Sequence, residues 1–337
     1  ELKGGKVLRE SFLSSPDKVM AVRMTAEGKA PDFCLWLEGW SQPSRTQWEE
    51  RNKALHVHGR ALENIHSDGL TGVSYDICLR YDTDGHVSWN RRGLVITGAS
   101  HLTVFLTSAT DMFEKDPEAV CQSRLENALA KGYEAVRAAH IAEHSQWMNR
   151  CAFTMPDGRG DLPTDERIRA FAENKGGDDG LIALFFQYGR YLILNSSRPD
   201  SQLPAALQGV WNDDRACRME WTDDMHLDIN TQMNYYPAEN TGLGDCVMPL
   251  LRWIKDVLVP NGKIMAKELY GAEGWCAHTV SNAFGWAAPG WDVFWGMSVA
   301  CGGWAATHIW EHYLYTGDRD FLAEYFETLY GSAQFLK

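Results

Sequence analysis

The chemistry of this chain concentrates between His226 and Glu239, which read HLDINTQMNYYPAE. A histidine, an aspartate, three amide side chains (Asn230, Gln232, Asn234) and two tyrosines share this short stretch. His226, Asp228 and Asn230 alternate. On an extended segment alternate side chains point to one face, so the three converge on one small volume. Polar groups converging beside aromatic rings are what a sugar-sized pocket needs. The plainer alternative is a polar turn that satisfies its own backbone.

Further candidates follow downstream. Residues 275–296, WCAHTVSNAFGWAAPGWDVFWG, offer His278, Asn282, Trp286, Trp291 and Asp292 to a sugar. Trp304, His308 and Glu311 stand at helical spacing on one face. A buried, mutually satisfied cluster explains these three equally well, and Trp211 and Glu239 are similarly open. HIAEH (140–144) and HIWEH (308–312) both match H-x-x-E-H, in which histidines four apart can share a zinc. Two copies are one too many for a single site, so neither is read as a metal centre. His56 and His58 share a strand face, and a solvated face accounts for them better than a metal. No cofactor and no metal are expected.

At 337 residues the chain is long for one hydrophobic core, so two domains are expected. A 45% hydrophobic and 23% charged composition is that of a folded globular protein. No apolar run reaches the length of a membrane-spanning helix. A net charge of −13 argues against a nucleic-acid partner, which requires clustered Lys and Arg. No Walker or G-x-G-x-x-G fingerprint is present. The eight cysteines are scattered without a C-x-x-C pair and read as small buried hydrophobes. Nine of the 14 tryptophans lie after residue 200. Aromatic faces stack on sugar rings, although most large aromatics serve the core.

Two kinds of element must position these groups. Residues 1 to about 110 contain short β-branched and aromatic runs at 19–26, 33–39, 54–62, 73–82, 86–90, 92–98 and 102–110, separated by turn signals. This predicts an antiparallel β-sandwich. From Asp116 the period becomes helical, with Asp116 as N-cap, Pro117 in the first turn and Gly132 as a break. Residues 151–180 read as loop. The run 178–199 reads as a helix apolar on nearly every face, hence buried, with Arg190 inside it in need of a partner. Residues 201–240 read as irregular. Helices resume at 241–270 and 302–317, where Gly317 suits the C′ position, and Asp318 caps the last helix. Helices alternating with polar loops predict a helical toroid.

Four segments, in order, carry a family resemblance: LPTDERIRAF, DDGLIALFFQYGRYLILNSSRPDSQLPAALQGVWND, HLDINTQMNYYPAENTGLGD and GGWAATHIWEHYLYTGDRDFL. Together they closely resemble glycoside hydrolase family 95, and RESFLSSPDKVMAVRMTA resembles the family's N-terminal domain. The resemblance covers nearly the whole chain. It implies an antiparallel β-sandwich (1–112), a helical linker (113–160) and the first part of an (α/α)6 barrel (161–337), with a C-terminal β-domain beyond. It also implies an inverting α-L-fucosidase acting on 1,2-linked fucose, or an α-L-galactosidase, with a fucosylated or L-galactosylated oligosaccharide as partner. A periplasmic or extracellular location goes with that substrate class.

In the resemblance His226 matches a sugar-contacting histidine. Asn230 matches the second of two water-positioning asparagines, and Asp228 stands where the first is expected. His278, Asn282, Trp291, Asp292 and Trp304 are the further candidates for substrate contact. The family's general acid lies in a Ser-Pro-Glu-Asn motif and its base in an Asp-Gly-Asn-Phe-Gly motif, and neither string occurs here. The chain is therefore read as a fragment cut at both ends that does not turn over substrate alone. Three alternatives remain open. They are a phosphorylase of similar architecture, which would need a basic phosphate site, a non-catalytic carbohydrate-binding remnant, and a metalloprotease.

Overall fold

In a computed structural model of the chain the described residues are 5–28, 31–37, 44–49, 53–61, 72–91, 93–156, 158–174, 176–211, 223–290 and 292–337. The chain divides into two compact units, Glu1–Ser145 and Gln146–Lys337.

The first unit is built on strands β1 Gly5–Ser14, β2 Val19–Gly28, β3 Phe33–Leu35, β4 Ser44–Glu49, β5 Ala54–Arg60, β6 Ser74–Thr83, β7 His86–Asn90, β8 Gly93–Thr97 and β9 His101–Thr110. They form a six-stranded sheet ordered β1-β2-β9-β6-β5-β4 and a three-stranded sheet ordered β3-β8-β7. All pairings among them are antiparallel. The strand at 5–14 is not legible from residue types, because Lys6, Arg9, Glu10 and Ser11 hide it. Its ten-residue ladder to β2 defines it. Two helices follow, α1 Pro117–Lys131 and α2 Tyr133–Met148. Asp116 caps α1 by accepting from the Ala119 amide, a contact worth about 1 kcal/mol. Gly132, at φ +81°, separates the two helices.

Alternation along the strands divides their side chains between two cores. Leu55, Leu79, Leu94, Ile96 and Leu102 fill one, in which both sheets take part. Ala21, Cys78 and Phe105 face the other way and pack with Cys121, Leu125 and Ala128 of α1 and with Tyr133 and Val136 of α2. The large sheet is thus covered on both sides. That corrects the expectation for His56. It is 5% exposed rather than on a solvated face, because its face lies under α1.

The second unit contains α3 Thr164–Asn174, α4 Asp179–Ser196, β10 Met225–His226, α5 Asn230–Asn240, α6 Met248–Trp253, α7 Val259–Tyr270, β11 Val280–Ser281, α8 Val293–Gly296, α9 Cys301–Thr316 and α10 Arg319–Leu336. A π-helical stretch, Ile254–Leu258, joins α6 to α7 without a break. Gly317 terminates α9 at φ +66°, and the Asp318 carboxylate accepts from the Asp320 and Phe321 amides to start α10. Two segments read as irregular are helical. The first is α3, inside the expected loop 151–180. The second is α5, which covers most of 226–239 although Pro237 lies inside it. The amide that Pro237 lacks would have reached back to Met233, on an exposed part of the helix. The run at 179–196 is also less buried than its composition suggests: Phe185 is 77% exposed, and Ile182, Leu184 and Tyr188 are exposed with it. Among the described residues no helix is long and apolar enough to cross a membrane.

Two buried groups organise this unit. Arg190 is 1% exposed. Its Nε donates to Thr241 O (3.0 Å), its Nη1 to Met148 O, Cys151 O and Gln187 Oε1 (2.9, 2.9 and 2.8 Å), and its Nη2 to Trp147 O (3.2 Å). The backbone carbonyls among these lie at the ends of α2 and α5, and a cation there also meets the negative ends of two helix dipoles. The second group is Trp275, fully buried, whose indole Nε1 donates to Thr328 O (2.8 Å). Three helices approach its ring through glycines. A Cβ at Gly262 would lie 3.0 Å from its Cε3, one at Gly302 2.9 Å from its Cζ3, and one at Gly331 2.9 Å from its Cδ1.

Because those contacts leave no room for a methyl group, Gly331→Ala should destabilise the protein by roughly 1–3 kcal/mol through overpacking. Gly189→Ala, on an open part of α4 with nothing within 4 Å of the added Cβ, should be stabilising by up to about 1 kcal/mol. Urea denaturation of both variants checks the contrast.

Candidate active site

β10 and β11 pair antiparallel, Met225 with Ser281 and His226 with Val280, and the Leu227 amide donates to Thr279 O (2.7 Å). The chain then leaves the strand and turns through 227–229 into α5. His226, Asp228 and Asn230 therefore do not alternate on one extended strand. They occupy the strand end, the turn and the first residue of a helix. Gln232 closes the turn by donating to Leu227 O (2.8 Å). The three side chains differ in exposure: His226 is buried, Asp228 exposed and Asn230 half-buried. Burial pushes the His226 imidazole below its usual range, and the Asp228 charge pulls it partly back. Burial raises the Cys301 thiol at the start of α9 above its usual range, and the Asp228 charge acts in the same direction.

The remaining polar groups of the stretch hold structure. Asn234 donates to Ala206 O (2.9 Å). The buried Tyr235 hydroxyl accepts from the Ala205 amide (2.7 Å) and lies 2.8 Å from Ser197 Oγ, which donates to Cys246 O. Tyr236 is exposed, and its hydroxyl accepts from Trp304 Nε1 (3.0 Å), which ties α5 to α9.

Below that pair runs a seam of titratable groups. His308 is 3% exposed, packs against the Tyr236 ring at 5.6 Å and has its Nδ1 3.5 Å from Glu311 Oε2. His312 Nδ1 donates to Glu239 Oε1 (2.6 Å). Burial, then the neighbouring Glu239 charge, raises the Glu311 carboxyl above its usual range. A carboxyl so placed holds its proton to higher pH and can donate a hydrogen bond to a hydroxyl. In sequence the helical spacing of 304, 308 and 311 pointed to this seam; the pairing of Glu239 with His312 became visible only across helices.

Other sequence candidates lie elsewhere. His278 is fully buried. The Ser298 amide donates to its Nδ1 (3.1 Å), which places the proton on Nε2, where the ring meets the Tyr270 hydroxyl (3.1 Å). Asn282 accepts from the Phe284 and Trp286 amides and lines a hollow of about 380 Å³ with Asn261, Glu268, Phe284 and Trp286; none of His226, Asp228 and Asn230 lines it. Asp292 caps α8 by accepting from the Phe294 amide (2.8 Å). Trp291 lies outside the described residues. Trp211 stacks on Tyr191. The second H-x-x-E-H copy does not gather its histidines, since His312 turns to Glu239 and His308 to Glu311. In the first copy His140 stacks on Phe12 at 4.8 Å.

The sequence model described as the glycosyl hydrolase family 95 catalytic domain matches residues 132–337, and that of the glycosyl hydrolase family 65 N-terminal domain matches residues 1–115. The chain belongs to glycosyl hydrolase family 95. It is 30% identical to "Probable alpha-fucosidase A" of Aspergillus niger over 97% of this chain and 43% of that protein. It is 34% identical to "Alpha-L-fucosidase 2" of Arabidopsis thaliana over 93% of this chain and 40% of that protein. The chain thus spans less than half the length of these relatives. A solved structure described as a kojibiose phosphorylase from the human microbiome superposes with a TM-score of 0.59 at 12% identity, over 98% of this chain and 42% of that one. The likeness shows the fold, an antiparallel β-sandwich followed by helices of an (α/α)6 toroid.

The seam makes a pH prediction. Burial lowers His308 to about 4 from 6.5. A depressed histidine stays neutral in the fold while the unfolded chain protonates, so stability falls as pH drops from about 6.5 towards 4, by roughly 3 kcal/mol in total. Thermal melts from pH 7 to 4.5 should show this decline, and His308→Gln should flatten it.

Proposed function

We propose that this chain works in an exo-acting glycosidase that releases terminal 1,2-linked α-L-fucose from glycans with inversion of configuration. The observation that carries this reading is the β10–α5 turn, which holds the exposed Asp228 two residues before Asn230 at the start of α5, within a family 95 domain. In this reading residues 1–112 serve as sandwich, 113–160 as linker and 161–337 as the first part of the barrel.

Inversion requires water to attack the anomeric carbon from the face opposite the leaving oxygen. The acid and base groups then stand roughly 6.5–9.5 Å apart, leaving space for that water. Asp228 and Asn230 belong to the water side. The exposed Asp228 carboxylate accepts a hydrogen bond from the attacking water and sets a negative charge beside it, while the proton passes to the base aspartate that the resemblance assigns to a motif outside this chain. The Asn230 amide fixes the second direction of the same water. His226, held neutral by burial, contacts a sugar hydroxyl. Trp304 and Tyr236, joined edge to edge by their hydrogen bond, supply an aromatic surface for the ring. The relatives named alpha-fucosidase support the choice of L-fucose. L-galactose carries an additional hydroxyl at C6, and a pocket discriminates strongly only where it is built to bond that group.

In the full-length protein Asp228→Asn keeps the shape and removes the charge beside the attacking water. It should lower kcat on 2′-fucosyllactose by about 10²-fold or more and change the pH profile. Unchanged turnover and profile would remove Asp228 from water activation. NMR of the wild-type reaction should show β-L-fucose first; α-L-fucose first would exclude inversion. Faster release from an α-L-galactoside would reassign the sugar.

A further inference from the structure

The register of β5 against β6 sets His56 opposite Cys78 and His58 opposite Asp76. Cross-strand partners share a face, and this face lies under α1. Across from the two histidines stands Glu118, in the first turn of α1, whose entry angle the Asp116 cap fixes. One ligand atom from each of His56, His58 and Glu118 lies within 4.8 Å of the others, the one such group among the described residues. The two imidazole planes are within 5° of parallel, with centroids 6.0 Å apart.

We propose that His56, His58 and Glu118 form a zinc-class metal site that clamps the first turn of α1 to the sheet. Two imidazoles and a carboxylate are a donor set zinc accepts, with a fourth position left for water or another ligand. Bonds of about 2.0–2.1 Å place tetrahedral donors roughly 3.3 Å apart. Rotation of the exposed Glu118 side chain supplies the remaining approach. The surroundings suit a ligated imidazole. His58 Nδ1 lies against Asp76 Oδ1. A carboxylate on one ring nitrogen orients the ring and raises the basicity of the other, so Nε2 is the atom that ligates. Cys78 Sγ lies 2.6 Å from His56 Nδ1, which places a soft donor beside the site and favours zinc over calcium or magnesium. Arg80, a cation on the same face, lies beyond Cys78 from His58. It lines a small cavity with His56, Cys78 and Glu126, and the Glu126 carboxylate there is available to answer its charge.

The site is separate from the glycosidase reading and stands or falls without it. Untagged, chelator-stripped full-length protein is titrated with zinc by calorimetry, and cobalt binding is followed through its visible absorption. The expected result is one zinc per chain, a cobalt spectrum of four-coordinate type and a zinc-dependent rise in Tm. Glu118→Gln, a surface change on α1, and His58→Ala should each weaken binding at least tenfold. The double variant His140→Ala/His144→Ala should bind as the wild type does. Absence of a stoichiometric site would overturn the proposal. So would binding that survives Glu118→Gln and His58→Ala, or that is lost in the double variant.

Discussion

A flat, fully buried indole held between three helices is the constraint on which the second unit depends. Trp275 meets α7 at Gly262, α9 at Gly302 and α10 at Gly331, and each of these helices approaches more closely than any side chain would allow. Backbone bonds follow the same contacts: the Trp275 amide donates to Gly331 O, the Cys276 amide to Gly262 O, and the Gly302 amide to Ala277 O. The strand-like segment that begins at Trp275 is thereby threaded between helices with its polar backbone satisfied, as a buried irregular segment must be. Five residues on, at Val280, that segment pairs with the end of β10, and this pairing sets the height at which the chain turns towards Asp228. A core packing decision therefore fixes the position of the polar turn.

The buried ions serve the same unit differently. The Arg190 guanidinium answers carbonyls of Trp147, Met148, Cys151 and Thr241, groups that would otherwise be buried at helix ends. Its positive charge is spread over dipoles rather than set against a carboxylate. Arg167 and Asp178 form the contrasting case, a bidentate pair with bonds of 2.9 and 2.8 Å, both side chains buried. The guanidinium bonds hold the Asp178 carboxyl below its usual range, and the same carboxylate caps α4 through the Leu181 amide. One residue thus starts the helix and anchors α3 to it. Such pairs specify geometry more than they add stability, because desolvation offsets much of the attraction.

Between α5 and α9 the buried titratable groups lie in order of depth. His308 is deepest and neutral, His312 donates to Glu239, and Glu311 reaches towards solvent with its carboxyl raised. Burial and like charge act on Glu311 in the same direction, whereas the burial of His226 is opposed by Asp228. The aromatic pair Tyr236–Trp304 lies over this seam. The result is a surface with apolar rings and hydrogen-bonding groups adjacent.

Sequence alone determined much of this protein. Short β-branched and aromatic runs marked seven of the nine strands among the described residues of the first unit, and Asp116, Gly132, Gly317 and Asp318 marked helix ends, because caps and breaks act locally through single residues. The ordered segments around HLDINTQMNYYPAE carried the family. The tertiary structure decided what depends on partners distant in the chain. It buried His278 completely, since burial is a property of neighbours. It turned 230–240 into a helix despite Pro237, since packing overrides propensity. It placed His56 and His58 under α1, since a strand's alternation shows that two faces exist but not what covers them. It also split His226, Asp228 and Asn230 between strand, turn and helix. An alternating pattern specifies one face only while the backbone stays extended, and the pairing of β10 with β11 ends at His226.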